Sequence, residues 1–169
     1  MSEAKTSEEL VWLLQEGDDE LFELIGGLDE SQLDEAGVQG FRSVKDILAH
    51  ITHWNQHGIK WIESIYLGEK PVVPVGGDSQ EAIREEMAVL NAKVHRVNRD
   101  RPVGEVVEEY REVFELLLDQ VGRLEEGHLE SVFDYPWASG PVSGRTVVMW
   151  RYWHQQNHTK YIQEWINKQ

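Results

Sequence analysis

The segment from residue 103 to 124 leaves the chain little choice of secondary structure. Val106, Val107, Tyr110, Val113, Phe114, Leu117, Leu118, Val121 and Leu124 recur at three- and four-residue steps, the period at which side chains line one face of an α-helix. A stripe of that width must be buried against another element. Leu10, Leu13, Leu14, Leu21, Leu24 and Ile25 form a second stripe. It predicts a helix over about residues 7–25, opened by a Thr6–Glu9 capping box and stopped at Gly26-Gly27. Ser43, with Asp46 three residues on, opens another that continues to about Leu67 and ends at Gly68. The last helix is expected over roughly residues 144–167.

Between the second and third long helices lies GEKPVVPVGGD, with two prolines and three glycines, which must be a loop. Asp78 and Glu81 then mark the start of a shorter, more polar helix through SQEAIREEMAVLNAKVHRVN. Asp100-Arg101-Pro102 interrupts it, because proline cannot continue a helix but suits the first turn of a new one. FDYPWASGPVSG is a further loop, and no segment reads as a strand. The expected fold is an all-α four-helix bundle in one domain, residues 1–169, with a long crossover carrying the extra short helix on its outside.

Composition narrows the partners. Cysteine is absent, so disulfides, thiolate ligands and a cysteine nucleophile are excluded, and any metal must be held by nitrogen and oxygen. Acidic residues outnumber basic ones 31 to 16, for a formal charge of −15. Such a surface repels phosphate, and with no basic cluster in sight neither nucleic acid nor an anionic membrane is expected as a partner. The opening MSEAKTSEELVWLL lacks the basic-then-apolar pattern of a leader, and no apolar run is long enough to span a bilayer. The cytoplasm is the expected compartment.

WRYWHQQNHTKYIQEW, residues 150 to 165, places His154 and His158 among aromatic residues one turn apart. At about 100° per residue, with His154 at zero, Val147 and Trp165 fall near about 20°, Tyr161 near about −20°, Trp150 near about −40° and His158 near about 40°. Both imidazoles therefore lie in the middle of the apolar stripe, not at its margin, stacked so that two ring nitrogens can converge. DILAHITHWNQHGIKWI carries three more histidines. His50 lies nearest the apolar seam of that helix, His57 is borderline and His53 faces outward.

Two histidines a turn apart plus one from another helix make a recurring metal site in bundle interiors. A divalent ion takes one lone pair from each neutral ring and leaves the opposite N–H for an acceptor, which Asp46 could supply to His50 unless it only caps its helix. The alternative is a set of core histidines hydrogen-bonded to carbonyls or tyrosines. His95 and His128 are expected at the surface. Gln155 follows His154, so the HExxH pattern of zinc proteases is absent.

KTSEELVWLL, FRSVKDILAHITHW, LNAKVHRVNRDRPVGEVVEEY, YPWASG and the final HQQNHTKYI, in that order, resemble the DinB/YfiT-like superfamily of four-helix bundles proposed as metalloenzymes, and more narrowly its ClbS/DfsB family. The resemblance spans nearly the whole chain. It implies a metal triad of His50, His154 and His158, the same residues the helical wheels select. It also implies chemistry on small reactive electrophiles, either transfer of a low-molecular-weight thiol or hydrolysis, in the service of detoxification or self-protection.

Zinc suits three nitrogens with an open position, and nickel or iron(II) is compatible. Trp54, Trp61, Trp137, Trp150 and Tyr161 are candidate pocket walls or simple core. No general base accompanies the triad, which favours thiol transfer over hydrolysis. Two other readings stand beside the enzyme: a non-catalytic binder of a hydrophobic or aromatic small molecule, and a structural bundle. The assembly is expected to be a monomer or homodimer.

Overall fold

The computed structural model describes residues 5–169; the first four residues, part of the segment read for a leader, lie outside them. The four long helices are α1 (Ser7–Ile25), α3 (Val44–Tyr66), α5 (Val103–Gly122) and α7 (Gly144–Ile166). Shorter α2 (Glu30–Leu33) and α6 (Glu126–Glu130) lie in the connections, and α4 (Gln80–Asn98) lies in the crossover. α1 packs between α5 and α7, and so does α3 on the opposite side, so the four close into a bundle with α4 laid outside against α3.

The helix starts follow local chemistry. Thr6 Oγ1 accepts the Glu9 N–H while Glu9 Oε2 accepts the Thr6 N–H, and Ser43 and Asp46 make the same reciprocal pair at the start of α3. Each pair satisfies two otherwise orphaned backbone donors. Gly68 ends the α3 region with φ +75°, a left-handed conformation that a side chain would oppose. The inward stripes meet in one core, with Leu10, Leu14 and Leu21 of α1 packed against Ile47, Leu48 and Ile51 of α3, Leu117 and Val121 of α5, and Val147, Val148 and Ile162 of α7.

Several details differ from expectation. The crossover helix has 19 residues, as many as α1, and is capped by Ser79 rather than starting at Asp78. Its polarity reflects a single buried edge, through Ile83 and Val94, not shortness. Pro102 occupies the cap position just outside α5, with extended backbone, instead of the first turn. The loop before α7 contains a two-residue antiparallel ladder, β1 (Val132–Phe133) with β2 (Val142–Ser143). Its strands are too short for alternation to register in sequence.

The ladder and the crossover build a roof over one end of the bundle. Trp61 Nε1 donates to the Val72 carbonyl at 2.9 Å, and Tyr135 Oη donates to the Pro71 carbonyl at 2.7 Å. Trp137 stacks on Tyr135, with ring centroids 5.0 Å apart. Beneath this roof is a cavity of about 450 Å³.

Candidate metal centre and the cavity beside it

α3 carries His50 and α7 carries His154 and His158, and their Nε2 atoms converge at the cavity floor. His50 Nε2 lies 2.9 Å from His154 Nε2, and His158 Nε2 lies 3.2 Å from it. One ligand atom from each of the three rings falls within 4.8 Å of the others. Nitrogens bound to a common ion at about 2.0–2.1 Å with tetrahedral angles are separated by about 3.3 Å. The two separations from His154 Nε2 lie close to that value.

The rings are also in the right charge state. Burial, reinforced by His158 and Arg42, pulls His50 down to about 2. Burial and Arg42 pull His158 down to about 4. His154 is driven well below the ordinary range by burial, then by Arg151 and the other two rings. All three are neutral at neutral pH, so their lone pairs are available. The Gln39 Oε1 atom lies 2.7 Å from His158 Nδ1. With that oxygen as acceptor, His158 holds its proton on Nδ1 and turns the Nε2 lone pair toward His154. Lone pairs brought this close repel one another unless a proton or a cation lies between them. The donor set therefore suits a divalent ion.

Among the other expected residues, Trp54 is buried, lines the cavity and donates from Nε1 to Asn91 Oδ1 at 3.0 Å. Trp61, Trp137 and Trp150 also line it. His57 is half-buried and stacks on Trp61 away from the cavity lining. Tyr161 is 40 % exposed and is not a wall. Asp46 does not serve His50, whose Nδ1 is buried without a partner among the described residues. Its carboxylate caps α3 and faces His95 Nδ1 at 3.4 Å, so His95 is half-buried beside Phe41 rather than free at the surface.

The wheel placed His154 at the centre of the buried stripe of α7, and this is corrected. The buried face runs through Val148, Arg151, Gln155, Thr159 and Ile162, about 70° around the helix. His158 belongs to it, while His154 is half-buried at its edge. Hydrophobicity misled because polar Arg151, Gln155 and Thr159 share this face with its apolar residues. Gln155 Nε2 donates to Tyr110 Oη at 3.1 Å, and Arg151 lines the cavity. Gln39, Arg42, Asn91 and Arg151 carried no pattern that sequence reading could use.

A helical bundle with three imidazoles converging at the base of an aromatic cavity is the class this fold and site define. The chain belongs to the DinB superfamily, whose sequence profile matches residues 13–162.

A comparison with curated proteins gives no match. Solved structures of the same fold include a protein from Streptococcus pneumoniae, 14% identical with TM-score 0.77 over 99% of this chain and 93% of that one. The colibactin self-resistance protein ClbS, in complex with double-stranded DNA, is 14% identical with TM-score 0.73 over 96% of both chains. The sibling lethal factor precursor DfsB is 18% identical with TM-score 0.73 over 98% of both.

The ClbS complex overturns the expectation that nucleic acid is excluded as a partner. Net charge sums the whole surface, whereas binding responds to local potential, so an acidic total cannot rule a partner out. Among the described residues no helix is long and apolar enough to cross a membrane.

Proposed function

We propose that the chain is a metal-dependent enzyme acting on small reactive electrophiles, by transfer of a low-molecular-weight thiol or by hydrolysis, in a detoxifying or self-protective role. The observation that carries this reading is the convergence of His50, His154 and His158 Nε2 atoms at the floor of the cavity. A divalent ion, zinc by preference and nickel or iron(II) as compatible choices, would supply a field that lowers the proton affinity of a thiol or water placed beside it. Gln39 fixes the tautomer of His158. Trp54, Trp61, Trp137 and Trp150 line the space above the rings with apolar surface. Among the described residues no aspartate or glutamate lines the cavity, so none of them stands ready as a general base there, and thiol transfer is favoured.

The self-resistance role of ClbS supports the protective part of this reading. Its DNA complex also makes duplex DNA a partner class to test here, by fluorescence anisotropy across a salt series. The deciding experiment is elemental analysis of protein purified without a histidine tag, wild type against His154→Ala, followed by a screen of thiols with simple electrophiles. About one equivalent of a transition metal in wild type and none in a folded variant supports the proposal. Equal content in both refutes it.

The aromatic walls favour one second reading, a non-catalytic binder of a flat apolar ligand. It predicts ligand affinity that survives chelation and no turnover with any thiol.

A further inference from the structure

Lys45 and Arg151 are the two buried cationic side chains among the described residues, at 3 % and 6 % exposure. They are treated very differently by the fold. Lys45 Nζ is paired with Asp34 Oδ1 at 2.7 Å and donates to the Arg99 carbonyl at 2.7 Å. Arg151 Nε and Nη1 are buried with no hydrogen-bond partner among the described residues. Its guanidinium carbon sits 5.0 Å from the centroid of the Trp61 ring, and a ring face offers a cation far less than a carboxylate does. Buried donors of a charged group left without hydrogen bonds are costly, so they mark a place where a partner is meant to arrive.

The surroundings are arranged for this side chain. A Cβ at Gly58 would come 2.5 Å from Arg151 Cδ and 3.1 Å from its Cγ. Glycine at that point in α3 is what lets the arginine stem cross between the helices. Arg151 then lines the cavity together with Arg42, four tryptophans and the three histidines, with no acidic residue among the described walls. Burial lowers Arg151 only to about 10, so it stays charged at neutral pH. The cavity is thus locally positive inside a chain of formal charge −15.

We infer that Arg151, assisted by Arg42, forms an anion-recognising subsite beside the three imidazoles, for a flat apolar small molecule bearing one anionic group such as a carboxylate or sulfonate. The guanidinium fork would take the anionic oxygens while the indole walls take the ring. This deepens the reading of the cavity as the substrate site and rests on it, but it does not depend on a metal.

The test is isothermal titration calorimetry with 2-naphthalenesulfonate and with its uncharged counterpart, 2-(methylsulfonyl)naphthalene. Wild-type protein is titrated after chelator treatment and again with one equivalent of zinc. The sulfonate should bind at least about tenfold more tightly than the sulfone in both states, since one charge-assisted contact is worth that much. Arg151→Met should bring the two affinities within about twofold, and Arg42→Met should reduce the preference in part.

Equal affinities in wild type, or an undiminished preference in Arg151→Met, would overturn the assignment and leave Arg151 as a packing residue over Trp61. Should Arg151→Met not fold, Gly58→Ala replaces it, because its methyl group pushes the arginine stem aside; an unchanged preference there overturns the subsite equally. Anion preference without zinc uptake would sink the metal reading alone. Zinc uptake without anion preference would sink the subsite alone.

Discussion

Gln39 Oε1 and His158 Nδ1 lie 2.7 Å apart, although 119 positions separate them in the chain. The contact is set by a tight turn. Gly37 and Gly40 both adopt positive φ, and the Val38 N–H donates to the Arg42 carbonyl at 2.9 Å. That turn aims Gln39 at the ring and places Arg42 at the cavity. A histidine whose outer nitrogen is held in this way presents its other nitrogen in a fixed direction.

Gln39→Ala should therefore weaken metal affinity by about 10- to 100-fold without abolishing it. Competition against a chelator of known zinc affinity reads the change directly. An unaltered affinity would mean that the ring is oriented by packing alone.

His50→Ala and His154→Ala should each reduce bound metal to background while far-ultraviolet circular dichroism stays that of the wild type. Neither residue is a member of the leucine and isoleucine core. Each also removes an imidazole whose Nδ1 is buried and unpaired, so thermal stability of the metal-free variants should equal or exceed that of metal-free wild type. A drop of several degrees in either would show the cluster to be structural.

Asp18 offers a pH test remote from the cavity. Its Oδ1 accepts the Tyr110 hydroxyl at 2.8 Å. Burial outweighs that bond and raises the carboxyl from 3.8 to about 6. The folded state therefore holds this proton more tightly than the unfolded state does. The stability it contributes is complete below about pH 4 and is lost as pH rises toward about 6. Asp18→Asn keeps an oxygen for Tyr110 but cannot ionise. Relative to wild type it should gain stability between pH 4 and pH 7, by at most about 3 kcal/mol. Urea unfolding of both proteins at the two pH values measures the difference, and a difference independent of pH would contradict the shift.

Gly144 begins α7 with its N–H bonded to the Ser131 carbonyl at 2.8 Å. A Cβ there would lie 2.3 Å from the His128 carbonyl oxygen. The neighbour is backbone and cannot swing away, so Gly144→Ala should destabilise the fold by about 1–3 kcal/mol. Its effect on the denaturation midpoint should exceed that of Gly104→Ala, where nothing lies within 4 Å.

The long helices were legible in the chain because their signals are local. Thr6 with Glu9, Ser43 with Asp46, and the leucine and valine stripes act within a few residues of one another, and the bundle follows from burying those stripes. The candidate triad was legible for a related reason: the i, i+4 pair of His154 and His158 is fixed by helix geometry, and His50 sits near the seam of its own helix. Tertiary packing decided the rest. It rotated the buried face of α7 onto Arg151, Gln155 and Thr159, of which Gln155 meets Tyr110 of α5 and Arg151 lines the cavity, and it left Tyr161 outside. It carried Gln39 to His158, turned Asp46 toward His95, and opened Gly58 to the stem of Arg151. Hydrophobic periodicity reports which side chains avoid water. It carries no information about polar groups that are buried because another part of the chain, or a ligand, meets them there.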